Sequence, residues 1–174
     1  MTRTDLAQAI YNVSHLTGEF LLRSGKTSNE YFDKYQFESQ PALLREIAKA
    51  MIPLIPAGTE YLGALEMGGI PIATALSLES GIPIVFIRKE AKEYGTCKFA
   101  EGPDFNGKRI LLIEDVITTG GQVVTSCTDM RAVGAKIDHV LCVIDRSEGQ
   151  NERITAIGLT HHALFTMAEL KAHL

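Results

Sequence analysis

Four large apolar residues followed at once by two carboxylates, Ile110-Leu111-Leu112-Ile113-Glu114-Asp115, constrain the fold of this chain more than any other stretch. An uninterrupted apolar run of that length suits a strand covered on both faces, as in a parallel sheet. Acids at its end are delivered to the carboxyl edge of the sheet, where open α/β folds bind ligands. Val116 and Ile117 lead into Thr118, Thr119, Gly120, Gly121 and Gln122. The glycines permit a tight turn, and the threonines stand beside the free amides of a helix expected to start near Gly120. Such a turn is a phosphate cradle. Acids before a cradle that has no lysine of its own suit a sugar phosphate, with carboxylates for hydroxyls or a metal ion and amides for the phosphate. The plainer alternative is a strand, turn and helix with acids at an ordinary helix start.

The remaining pattern extends this unit. Leu6, Ala9, Ile10 and Val13 predict a first helix capped by Thr4 or Asp5, with Gly18 ending the connection and an irregular stretch from Glu19 to Tyr35. Leu43, Leu44, Ile47, Ala48, Met51 and Ile52 predict an amphipathic helix closed by Pro53 and Pro56. Strands are expected at Tyr61–Leu65, Ile84–Ile87, Val140–Ile144 and Ile157–Phe165, with helices through Ser80, from Val123 to Val133 and from Met167 to Leu174. Gly149–Arg153 reads as a loop, and Thr96–Lys108 as a polar lid. Alternation of strand and helix implies an α/β fold, doubly wound around a mostly parallel sheet. A single domain over residues 1–174 is expected, with a small hood from about residue 1 to 40 plus the C-terminal end, over a core from about 41 to 160.

Several function classes are disfavoured. The net charge of -4 argues against broad nucleic-acid binding, so an anionic substrate needs local positive charge. Cys97, Cys127 and Cys142 have neither metal-ligand spacing nor an even count for a disulfide framework, which fits reduced thiols in the cytoplasm. No apolar run approaches membrane-spanning length and the first residues lack a signal pattern, so no membrane role is expected. Gly25-Lys26-Thr27 ends like a nucleotide-binding P-loop, but Phe20 stands where the earlier glycine is required. His161 and His162 should face opposite sides of a strand, which makes a joint metal site unfavourable.

Three further groups carry candidate chemistry. The turn Glu66-Met67-Gly68-Gly69-Ile70-Pro71 is a second candidate anion-binding turn. Arg88-Lys89-Glu90-Ala91-Lys92-Glu93-Tyr94-Gly95 is either a solvated charge run or a cationic loop. Arg146, just past a core strand, can grip a carboxylate with its two-pronged fork, or pair with Asp145 or Glu148.

The run from Arg109 to Val123 resembles the signature of the phosphoribosyltransferases, which bind phosphoribosyl pyrophosphate (PRPP). Leu22-Arg23-Ser24-Gly25-Lys26-Thr27-Ser28-Asn29-Glu30-Tyr31-Phe32-Asp33 and the segment from Arg88 to Gly95 resemble the hood and the mobile loop of the orotate-using branch. The resemblance implies that Glu114 and Asp115 face the ribose hydroxyls while Val116, Ile117, Thr118, Thr119, Gly120, Gly121 and Gln122 wrap the 5-phosphate. It further implies that Arg23, Arg88, Lys89, Lys92 and Tyr94 meet the pyrophosphate, with Lys89, Lys92, Glu114 and Asp115 the catalytic set. Arg23 stands where the family usually has lysine, Tyr94 where it often has histidine, and Met67 and Gly68 where a lysine or tyrosine is common. Orotate would be held by Tyr31, Phe32, Thr118 and Arg146, although the two aromatics also suit a plain hydrophobic cluster.

By the same resemblance the activity is transfer of phosphoribose from PRPP to orotate, giving orotidine 5-phosphate and pyrophosphate. The cofactor would be Mg2+, held mainly by the substrate, with no direct side-chain ligand and Asp115 reaching it at most through water. A homodimer is implied, with the 88–107 loop completing the partner's site. The alternatives are a phosphoribosyltransferase for another base, or a PRPP-sensing regulator without catalysis.

Overall fold

The computed structural model describes residues 1–22, 25–90, 99–147 and 149–172. Helix α1 (Arg3–Ser14) opens the chain. Thr2 Oγ1 accepts from the Asp5 amide and Asp5 Oδ2 accepts from the Thr2 amide, each at 3.1 Å, a reciprocal cap that satisfies two free donors. The cap is therefore Thr2 and not the expected Thr4 or Asp5. Residues expected to be irregular form an antiparallel hairpin, β1 (His15–Leu21) with β2 (Thr27–Phe32), and Gly18 lies inside β1 at a break in its register. Its apolar residues do not alternate regularly with polar ones, so periodicity does not announce these strands, which are joined by backbone pairing and by cross-strand contacts of Phe20 with Tyr31 and His15 with Glu30. Because Thr27 opens a strand and not a helix, the P-loop context is absent.

Asp33 then caps the short helix α2 (Lys34–Glu38), accepting from the Tyr35 amide at 3.1 Å. Pro41 begins α3 (Pro41–Met51), where its missing N–H costs nothing, and a 3-10 turn at Ile52–Leu54 follows.

The core alternates as expected through β3 (Tyr61–Leu65), α4 (Gly69–Ser80) and β4 (Ile84–Ile87). Part of the expected lid contributes β5 (Ala100–Glu101), which pairs antiparallel with β4 as the sheet edge. Next come β6 (Arg109–Ile117), α5 (Gly121–Ala132) and β7 (Lys136–Asp145). The loop expected at Gly149–Arg153 runs into α6 (Glu152–Ala156), capped by Asn151. The last strand, β8 (Thr160–Thr166), starts later than Ile157 because α6 occupies that stretch, and α7 (Met167–Lys171) ends the described chain.

The six-stranded sheet has the order β5-β4-β3-β6-β7-β8, with every pair parallel except β4–β5. Chain order runs outward in opposite directions from β3 and β6, so the topological switch lies between them, and the ligand crevice of such sheets opens at their carboxyl ends. The aliphatic run of β6 explains its central place. Leu111 and Ile113 join the core cluster built by α1, α3 and α4, while Ile110 and Leu112 join the cluster under α5 with Val123, Cys127 and Met130. Burying each such side chain contributes about 1.5–3 kcal/mol. Leu141 and Val143 against Val140 and Cys142 repeat the division on β7.

Candidate active site

Strand β6 does not stop at the acids. Pairing with β7 continues through Glu114↔Cys142, Val116↔Ile144 and Ile117↔Asp145, so both carboxylates sit within the strand instead of after it. Alternation then divides them. Glu114 lines a cavity of about 300 Å³, together with Lys34 and residues 116–123, while Asp115 lies behind with its side chain 1% exposed.

The cavity floor is the start of α5. Gly120 has φ +71°, a left-handed conformation that glycine adopts without strain, and no side chain caps the helix. Its first amides are thereby left to a ligand. A β-carbon on Gly120 would lie 2.8 Å from Ile154 Cγ1, and Asn151 Nδ2 donates to the Thr118 carbonyl at 3.3 Å. Helix α6 thus braces the loop from below.

Across the cavity, α2 places Lys34 Nζ 2.5 Å from Asp115 Oδ2. The Asp115 Oδ1 accepts from the Val116 amide at 2.5 Å, and Glu38 shares a hydrogen bond with the same carboxylate. Burial works against the Asp115 charge, but hydrogen bonds from Glu114, Lys34 and Glu38 hold its carboxyl below the ordinary value. Burial, reinforced by the adjacent Asp115 charge, pushes Glu114 well above the usual carboxylate range. Burial also pushes Glu38 up to about 9, with its Asp115 hydrogen bond acting in the same direction. Burial thus favours the protonated form of Glu114 and Glu38, while the Lys34 ammonium and the hydrogen bonds that Asp115 receives favour the charged form of Asp115.

The second candidate turn closes the same crevice. The Glu66–Met67 peptide is cis, and Glu66 Oε1 accepts from the Lys89 amide at 2.6 Å, tying the ends of β3 and β4 together. A β-carbon on Gly69 would lie 2.4 Å from the Ile113 carbonyl oxygen, so α4 starts directly against β6. Arg88 donates its amide to Phe99 O at 3.0 Å and lies 4.0 Å from Glu101. Arg23, Lys92 and Tyr94 lie outside the described residues.

A separate cavity of about 220 Å³ brings Tyr31, Phe32 and Arg146 together with Tyr11, His15 and Lys171. Tyr31 packs on Phe20 with ring centroids 5.6 Å apart, and Phe32 on Tyr11 at 6.2 Å, so the aromatics are at once a cluster and a cavity wall. The Arg146 amide donates to Ile117 O at 2.8 Å, which sets this residue beside the loop cavity. Of the two expected salt-bridge rivals, Asp145 instead accepts from the Ser147 amide and hydroxyl at 2.8 and 2.6 Å, and Glu148 lies outside the described residues. Among the described residues the Arg146 guanidinium has no ion pair. Thr118 lines the loop cavity and not the aromatic one. His161 meets Cys142 on one face of β8 and His162 meets His139 on the other.

Sequence reasoning missed Lys34, Glu38, Asn151 and the His15–Glu30 pair at 2.9 Å. Lys34 and Glu38 are four residues apart, the spacing of an ordinary solvated helix pair, and only the tertiary position of α2 shows otherwise.

The family described as "Phosphoribosyl transferase domain" matches residues 35–160. An orotate phosphoribosyltransferase of Nocardioides sp. is 53% identical over 167 residues, covering 96% of this chain and 93% of that one. Among solved structures, Mycobacterium tuberculosis H37Rv orotate phosphoribosyltransferase in complex with Fe(III) dicitrate superposes with a TM-score of 0.87 at 30% identity, over 97% of this chain and 98% of the other. The same enzyme in complex with PRPP gives a TM-score of 0.82 at 28% identity, again over 97% and 98%.

Proposed function

The chain belongs to the phosphoribosyltransferases, and we infer that it is an orotate phosphoribosyltransferase, joining orotate to PRPP with release of pyrophosphate in pyrimidine biosynthesis. The observation that carries this reading is the pairing of two neighbouring cavities, one floored by the free amides of α5 and one combining Tyr31 and Phe32 with an Arg146 that has no ion pair among the described residues.

Each cavity suits one half of the reaction. In the first, amides of residues 118–122 take the 5-phosphate, as helix starts do. Glu114 faces the ribose hydroxyls at the wall, with Asp115 as the buried charge one layer behind. Cleavage at ribose C1 ahead of attack by the base nitrogen leaves the sugar electron-poor and the pyrophosphate negative, and fixed charges of opposite sign favour both. Arg23, Arg88, Lys89, Lys92 and Tyr94 are assigned to the leaving group. In the second cavity, the Arg146 fork orients the orotate carboxylate and Tyr31 and Phe32 border the flat ring.

Magnesium fits this site as an ion carried by PRPP. Among the described residues no group of three or more His, Cys, Asp or Glu is arranged to hold a metal, and Asp115 is already engaged by Lys34 and the Val116 amide. When bound with PRPP, the ion would supply charge neutralisation to the departing pyrophosphate. The same reading includes a single domain, a homodimer in which the 88–107 loop completes the partner's site, and a cytoplasmic location. No described helix is long and apolar enough to cross a membrane.

The test is turnover of purified protein with magnesium, PRPP and, separately, orotate, uracil, adenine and hypoxanthine. Consumption of orotate alone is expected. Preference for another base, or consumption of none, would reject the assignment.

A further inference from the structure

The loop from Thr118 to Gln122 contains no cation, and the chain as a whole is acidic, with a net charge of -4. A phosphate seated on the α5 amides would still benefit from a full positive charge, because amide dipoles supply only partial ones. The fold brings one in from outside the loop. Lys34 is the first residue of α2, far from Thr118 in sequence, yet it lines the same cavity as Thr118, Thr119, Gly120, Gly121 and Gln122. Its side chain is 34% exposed whereas that of Asp115 is 1% exposed, so the ammonium and not the carboxylate meets an incoming ligand. Asp115 holds Nζ at 2.5 Å, and the Tyr35 ring centroid lies 5.2 Å from it.

We propose that Lys34 is a further binding residue for the phosphorylated sugar, supplying the cation that the loop lacks, with Asp115 as the positioning residue that aims it. The inference rests on the reading of this cavity as the sugar-phosphate site. It changes the division of labour between the two acids of β6. Glu114 faces the ligand directly, and Asp115 acts through Lys34.

The variant Lys34→Met keeps the apolar stem and removes the charge. Its affinity for ribose 5-phosphate, and for inorganic phosphate as the minimal probe, should fall about tenfold by titration calorimetry, the scale of one charge-assisted contact. The KM for PRPP should rise by a similar factor while the KM for orotate stays near wild type. Lys34→Arg should restore most of the loss. Because Lys34→Met strands the Asp115 charge, the double variant Lys34→Met/Asp115→Asn is the second arm, with no uncompensated buried charge. It should remain as weak for inorganic phosphate as the single variant. Recovery of wild-type affinity in the double variant would show that Lys34 only neutralises Asp115, and would overturn the proposal. So would an unchanged phosphate affinity in a folded Lys34→Met protein. A wild-type protein that fails to bind ribose 5-phosphate, or to turn over orotate with PRPP, would instead overturn the functional reading itself.

Discussion

A β-carbon added to Gly68 would fall 1.6 Å from Oδ2 of Asp115, the closest such approach of any glycine among the described residues. The backbone of Gly68 has φ -69°, which any residue adopts, so its requirement for glycine is steric and not conformational. The turn after β3 and the acid of β6 thus occupy one another's space.

Gly68→Ala should therefore act on the site before it acts on the fold. Asp115 must shift and take Lys34 with it. Overpacking of this kind costs about 1–3 kcal/mol, and the KM for PRPP should rise more than the KM for orotate. Steady-state kinetics beside a thermal melt measures both, and a variant with wild-type KM for PRPP would show that the contact relaxes without consequence.

The buried carboxyl of Glu38 predicts a pH dependence. Its folded value is about 9 against an ordinary 4.5, so between those limits the folded protein holds a proton that the unfolded chain has released. Stability from this group is complete below about pH 4.5 and declines as pH rises toward about 9, by at most about 1.4 kcal/mol per pH unit. Glu38→Gln keeps a donor for Asp115 and removes the titration. Its melting temperature relative to wild type should be clearly more favourable near pH 8.5 than near pH 5.5, on the order of several degrees. A difference that does not vary with pH would mean Glu38 ionises normally.

Arg146→Ala should weaken orotate far more than PRPP. Loss of a two-pronged contact to a carboxylate costs about 2–5 kcal/mol, or roughly 30-fold or more in KM. Equal losses for the two substrates would remove Arg146 as the reader of the base. Uracil, which lacks the carboxylate, should discriminate poorly between wild type and variant.

Lys92→Ala should lower kcat by about 100-fold if its charge meets the departing pyrophosphate in the transition state, with the melting temperature unchanged. Single-turnover measurement separates this from slow product release. Wild-type turnover would take the 88–107 loop out of the chemistry.

Much of this arrangement was legible before any coordinates. The double-faced burial of Ile110–Ile113, the glycine turn before α5 and the strand leading to Arg146 all follow from local pattern, because hydrophobic runs and glycines report on backbone geometry directly. The places where reading failed have a common cause. Strand β6 runs on through Glu114 and Asp115 because β7 offers backbone partners as far as Asp145, which no property of the acids announces. The apolar residues of the β1–β2 hairpin do not alternate regularly along its strands, so periodicity is silent there. Lys34 and Glu38 look solvated in sequence, and their role exists only once α2 is laid over Asp115.

One residue, Asp33, joins the strand that bears Tyr31 and Phe32 to the turn that bears Lys34. Its amide is pinned to the Ser14 carbonyl at 2.8 Å and its carboxylate caps α2. The aromatic cavity wall and the Lys34 ammonium consequently hang from one anchored residue, so any tilt of the hairpin that displaced Tyr31 and Phe32 would displace Lys34 as well.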